Sequence, residues 1–134
     1  MLRLKPYEQD KNYSTVRGLY ELNGMAIVDK CFLPSVGHIA YDDRTPIAAG
    51  FLLCTDTSLC IMEYFVSNPN VDWKLRSDAI IMITKELIED ARFLGFSSVA
   101  ASFKSDRLAE KAKETGFKVE KKTSNWATLE VLNG

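Results

Sequence analysis

The chain has 134 residues, 46% hydrophobic and 26% charged, with a net charge of −1; this suits one domain with its own core and argues against a general nucleic-acid or anionic-membrane binder. No apolar run reaches the roughly 20 residues that cross a bilayer, and the opening MLRLKPYEQDK, charged from its third residue, does not read as a signal peptide. Cys31, Cys54 and Cys60 are odd in number and lack C-x-x-C spacing, which reads as reduced, mostly buried thiols in a cytoplasmic protein and assigns no metal.

Residues 2–5 alternate Leu-Arg-Leu-Lys, the pattern of a half-buried strand, and Pro6 ends it. Residues 10–22 read as a helix with Tyr13, Val16, Leu19 and Tyr20 on its apolar face, stopped by Gly24. A short second helix fits residues 25–32. Strands are expected at 36–41 and 46–54, with a turn at Asp42-Asp43-Arg44-Thr45 between them. Gly50 inside the second of these suggests a bulge or a close packing contact. After a turn at 55–58, residues 59–66 form a strand apolar almost throughout, hence central and covered on both faces. Cys54 and Cys60 could face each other across this hairpin, which leaves a disulfide there as a lesser alternative.

A long helix follows over about 72–94, with Ile80, Ile83, Leu87, Ala91 and Leu94 at helical spacing and Gly95 as its stop. A short strand is expected at 98–103. Ser105 suits the N-cap of a further helix that ends at Gly116, and strands at 117–121 and 126–132 close the chain. With no linker or repeat, residues 1–134 read as a single domain. The strand–helix–strand crossover from 59 to 103 implies locally parallel pairing. The expected class is α/β (α+β), a mixed and mostly antiparallel sheet of about seven strands with helices on both faces. The join at 68–77 points free backbone N–H groups and a positive helix end at one place, which favours an anion.

The order of elements, the F-V-S-N-P end of the fourth strand and the E-T-G-F-K after the last helix resemble the GNAT acetyltransferase superfamily over essentially the whole chain. The resemblance implies acetyl-CoA as cofactor. Its pantetheine arm would enter a gap between the fourth and fifth strands and pair with the backbone of Tyr64, Phe65 and Val66. It also implies a pyrophosphate loop of pattern R/Q-x-x-G-x-G/A opening the long helix, which falls on Asp72, Trp73, Lys74, Leu75, Arg76 and Ser77. Asp72 stands at the basic or amide position and Leu75 at the first glycine, where a side chain obstructs a close phosphate; Lys74 and Arg76 are cations that could compensate. Counting back from Gly116 puts Ser105 at the family's asparagine and Ala112 at the tyrosine that protonates the leaving thiolate, so the usual general acid is missing.

Glu63 is the sole carboxylate of the central strand and a candidate general base. Side chains alternate along a strand, so Met62 and Cys60 are expected on the face of Val66, and Glu63 on the other unless a bulge shifts it. Its plainer reading is a carboxylate that pairs with a base or reaches water. His38, the single histidine, is a second candidate base near the acceptor side, though lone histidines are mostly structural. Two functions follow. One is an N-acyltransferase from acetyl-CoA or another acyl-CoA to an amine on a small molecule or a protein, with Glu63 or water taking the proton. The other is a GNAT-like domain without catalysis, an accessory protein of the phage or mobile-element kind that binds a protein partner or its own copy as a homodimer.

Overall fold

The computed structural model describes residues 1–103, 110, 113–116, 118–121 and 125–131. Seven strands form one sheet: β1 (Leu2–Pro6), β2 (Val36–Asp42), β3 (Thr45–Cys54), β4 (Leu59–Ser67), β5 (Ser98–Phe103), β6 (Lys118–Lys121) and β7 (Asn125–Glu130). Their order across the sheet is β1-β2-β3-β4-β5-β7-β6. Every neighbouring pair is antiparallel except β4 and β5, which are parallel. Helices α1 (Gln9–Leu22) and α2 (Trp73–Phe93) pack on opposite faces.

The two faces follow from strand alternation. Ile39, Ala49, Phe51 and Val66 cluster with Val16, Leu19 and Tyr20 of α1. Ala40, Ala48, Leu52, Cys60 and Met62 cluster with Ala79, Ile83, Leu87 and Ala91 of α2. Alanines at the centre of the sheet let both helices approach closely. Phe51, Leu19, Ile83 and Leu87 are fully buried, each contributing about 1.5–3 kcal/mol by removal from water.

Both helices end as their glycines suggest. Gly24 has φ +63 and Gly95 φ +89, the left-handed conformation that glycine adopts without strain. At α2, Gly95 N–H donates to Arg92 C=O and Phe96 N–H to Ala91 C=O. At α1, Gly24 N–H donates to Glu21 C=O and Met25 N–H to Tyr20 C=O. Each is a Schellman closure that satisfies the last carbonyls.

Several expectations are corrected. Residues 25–32 do not form a helix; only Lys30–Phe32 make one 3-10 turn. Met25, Ile27 and Phe32 stay exposed, so the segment buries no apolar stripe that would stabilise so short a helix. It is held onto α1 instead, by Tyr13 Oη donating to Val28 C=O at 2.8 Å and Gln9 Nε2 to Lys30 C=O at 3.0 Å. Leu94 lies beyond the apolar face of α2 and is 48% exposed. Two of the three thiols, Cys31 and Cys54, are exposed; Cys60 alone is buried. β4 is not covered on both faces along its length: Cys60 and Met62 are buried towards α2, while Ile61 and Glu63, which alternate with them, are half-buried. The helix expected after Ser105 falls largely outside the described residues, so Ser105 and Ala112 carry no structural finding. No helix among the described residues is long and apolar enough to cross a membrane.

Candidate active site

The site begins with an irregularity in β4. Phe51 of β3 lies opposite Glu63 and Ala49 lies opposite Val66, so Gly50 alone faces both Tyr64 and Phe65. This is a bulge, with two residues against one. Tyr64 takes φ +60, which is uncommon for a side chain of that size and marks a conformation held by its surroundings. One support is visible: Tyr20 Oη of α1 donates to Tyr64 C=O at 3.0 Å. A second is steric. A Cβ on Gly50 would come within 2.5 Å of Phe65 Cε1, so the ring occupies the space a side chain would fill.

The bulge settles which face Glu63 shares. Glu63 lies directly opposite Phe51, whose ring packs with α1. It therefore stands on the face of Val66, whereas Cys60 and Met62 face α2. Simple alternation gives the reverse, and the extra residue corrects it. Burial pushes the Tyr20 hydroxyl up to about 12, with Tyr64 and Glu63 adding to the shift. Tyr20 is thus a neutral donor at ordinary pH, beside the Glu63 carboxylate.

Just before the bulge, β4 parts from β5. Their pairing runs from Leu59↔Ser98 to Met62↔Ala101 and ends there. β5 continues with β7 through Ser102↔Trp126 and Phe103↔Asn125, while β4 continues with β3 through Val66↔Ala49 and Ser67↔Ala48. Past Met62, no pairing with β5 occupies the edge of β4 that carries Tyr64, Phe65 and Val66 among the described residues. A strand edge of this kind offers N–H and C=O groups to an extended ligand.

Two asparagines fix the turn from β4 into α2. Asn23 Nδ2 donates to Ser67 C=O at 2.8 Å and ties the end of α1 to the end of β4. Asn68 is buried; its Nδ2 donates to Pro46 C=O at 3.1 Å and its Oδ1 accepts from Asn70 N–H at 3.0 Å. Tyr20, Asn23 and Asn68 were not among the expected site residues. The visible signals were a tyrosine on an otherwise apolar helix face and the S-N-P-N run.

The helix start differs from the expected obstruction. Asp72 is the N-cap of α2, and its Oδ1 accepts from Leu75 N–H at 3.0 Å. The Leu75 side chain packs against the core cluster under α2. The competitor for an anion is therefore the Asp72 carboxylate, which already holds an amide of the helix end. Lys74 is exposed. The Arg76 guanidinium lies over the Trp73 ring at 5.5 Å, so Trp73 anchors that cation. Arg76 Nε and Ser77 Oγ are buried without a partner among the described residues. They are donors lacking an acceptor in the opening turns of α2, which fits a phosphate nearby.

His38 is not part of this site. It is buried under α2, on the face opposite Glu63, and its Nε2 lies 2.6 Å from Asp90 Oδ2. A hollow of about 490 Å³ beside α1, lined by Gly18, Glu21, Leu22 and Pro46 among others, holds one carboxylate. That carboxylate, Glu21, is paired with Arg17 at 2.9 Å, so the hollow offers no acid–base pair.

No family model and no curated protein matches the sequence. Solved structures do match. The ribosomal-protein-S18-alanine N-acetyltransferase of Escherichia coli is 8% identical, with 98% of this chain and 94% of that one covered at a TM-score of 0.76. A GNAT-superfamily phosphinothricin acetyltransferase of Sinorhizobium meliloti, solved with acetyl-CoA, is 11% identical over 99% and 90% at 0.77. An N-acetyltransferase of Staphylococcus aureus is 6% identical over 98% and 99% at 0.76. The chain has the fold of the GNAT N-acetyltransferases, and at these identities the likeness concerns the fold.

Proposed function

We propose that the protein is an N-acyltransferase that takes an acyl group from acetyl-CoA or a related acyl-CoA and transfers it to an amine. The observation that carries this reading is the end of β4–β5 pairing at Met62↔Ala101 beside a bulge at Tyr64. The GNAT fold, in a neighbour solved with acetyl-CoA, supports it. Acyl-CoA, when bound, supplies an activated thioester carbonyl. The backbone of Tyr64, Phe65 and Val66 binds the pantetheine arm. Lys74, Arg76 and Ser77 serve the pyrophosphate beside Leu75, whose amide Asp72 holds, and Ser105 keeps the binding role that the resemblance implies. Glu63 takes the proton of the attacking amine, directly or through water. Tyr20 fixes the bulge by its hydrogen bond and stays neutral.

The test is release of free thiol from acetyl-CoA in the presence of a panel of primary amines, amino acids and peptide N-termini. Turnover with at least one amine is expected, and Glu63→Gln lowers kcat by about 10²–10⁴, the range of a general base, while CoA affinity holds. CoA binding without turnover on any amine contradicts the catalytic reading. It would favour the rival one, a GNAT-like binding module.

A further inference from the structure

A second cluster of titratable groups lies outside the β4–β5 gap. His38 of β2 meets Glu86 and Asp90 of α2, and one donor atom from each lies within 4.8 Å of the others. Glu86 and Asp90 are one helical turn apart and share a face. His38 lies beneath them in the sheet, 8% exposed, with Nε2 at 2.6 Å from Asp90 Oδ2. The Asp90 side chain is 28% exposed and Glu86 is exposed, so the cluster has a buried floor and an open mouth.

Among the described residues neither carboxylate meets a lysine or arginine. Carboxylates at i and i+4 repel each other, and the hydrogen bond of His38 goes to Asp90. One imidazole nitrogen and two carboxylate oxygens are three ligands of the kinds that zinc takes, and they leave a fourth position for water. Imidazole also suits copper, iron and nickel, whereas magnesium and calcium prefer oxygen ligands. Metal–donor distances of about 2.0–2.2 Å require donors a little over 3 Å apart. The His38–Asp90 contact has to open slightly, and the exposed Glu86 carboxylate has to close in.

We propose that His38, Glu86 and Asp90 form a binding site for a zinc-class divalent cation, with water completing the coordination. The cation clamps α2 to β2 and stabilises the fold by mass action. The site stands apart from the acyl-CoA reading and needs none of its residues.

The experiment uses the intact, tag-free chain stripped with chelator. Zn²⁺ is titrated calorimetrically, Co²⁺ is followed by its visible absorption, and melting is recorded with and without Zn²⁺. One ion binds per chain at micromolar affinity, Co²⁺ gives the bands of a four- or five-coordinate centre, and Zn²⁺ raises Tm. Glu86→Gln weakens binding by at least about tenfold and leaves the metal-free Tm unchanged or higher, since it removes a repulsion. His38→Gln abolishes the cobalt bands. Binding only at millimolar Zn²⁺, or binding that Glu86→Gln leaves unaltered, overturns the proposal; the second result would put the ion elsewhere, for instance on the cysteines.

Discussion

Tyr20 shows how one hydroxyl links packing to the site. Its phenol is buried against Val16, Leu19 and Phe51, yet its oxygen reaches the carbonyl of the bulged Tyr64. Tyr20→Phe removes that donor and costs about 1 kcal/mol in urea unfolding. It also alters the alkaline limb of stability. The free phenol ionises near pH 10 and the folded one at about 12, so the unfolded chain loses its proton first. Stability conferred by the neutral phenol is whole below pH 10 and falls as pH rises towards 12. Tyr20→Phe flattens that slope, and unfolding curves between pH 9 and 12 read it. Asp72 makes the opposite kind of contribution. Asp72→Gly frees the Leu75 amide, costs only a few tenths of a kcal/mol as a cap, and tightens CoA binding; weaker binding would show that the carboxylate is no competitor. Asp72 was legible as a carboxylate at the phosphate position of the helix start; the hydrogen bond of Tyr20 was not. Alternation alone puts Glu63 on the other face; the bulge that Gly50 suggested brings it round, with Tyr64 as the left-handed residue.

At the scale of elements, β4 and α2 carry both the core and the site. Gly50 in β3 was read as a bulge or a close contact, and it is both: Phe65 fills the space where a Cβ would stand. Gly50→Ala forces that ring to move, destabilises the fold by about 1–3 kcal/mol as an overpacked position does, and disturbs the strand edge that faces the gap. Denaturation together with CoA affinity checks this, since both fall if the ring positions β4. Ile83→Ala on α2 leaves a cavity under the helix and costs about 2–5 kcal/mol. Elements with a strong period or a glycine stop were legible, among them α1, α2 and the β2–β3–β4 meander. Residues 25–32 were not, because their apolar side chains stay exposed and are held by Tyr13 and Gln9 from α1. Such tertiary hydrogen bonds leave no local pattern.

For the whole molecule, the fold survives at sequence identities of 6–11% to the GNAT structures. A sheet with helices on both faces needs alternation, helical stripes and a few turns, and those tolerate wide substitution. Binding at the helix start needs particular residues, and there Asp72 and Leu75 depart from the pattern that the resemblance supplied. The thiols report on the same architecture. Burial pushes Cys60 up to about 11, and burial with Asp90 raises Cys54, so at pH 8 a disulfide reagent modifies Cys31 first and Cys54 more slowly. Cys60 reacts only on unfolding; rapid labelling of all three would contradict the packing of β4 beneath α2.

The gap between β4 and β5 is the feature on which the functional reading depends, and calorimetric titration of the intact protein with acetyl-CoA tests it directly. Saturable binding of one ligand per chain at a micromolar Kd, about −8 kcal/mol, is the predicted result. Absence of binding up to millimolar acetyl-CoA would contradict it.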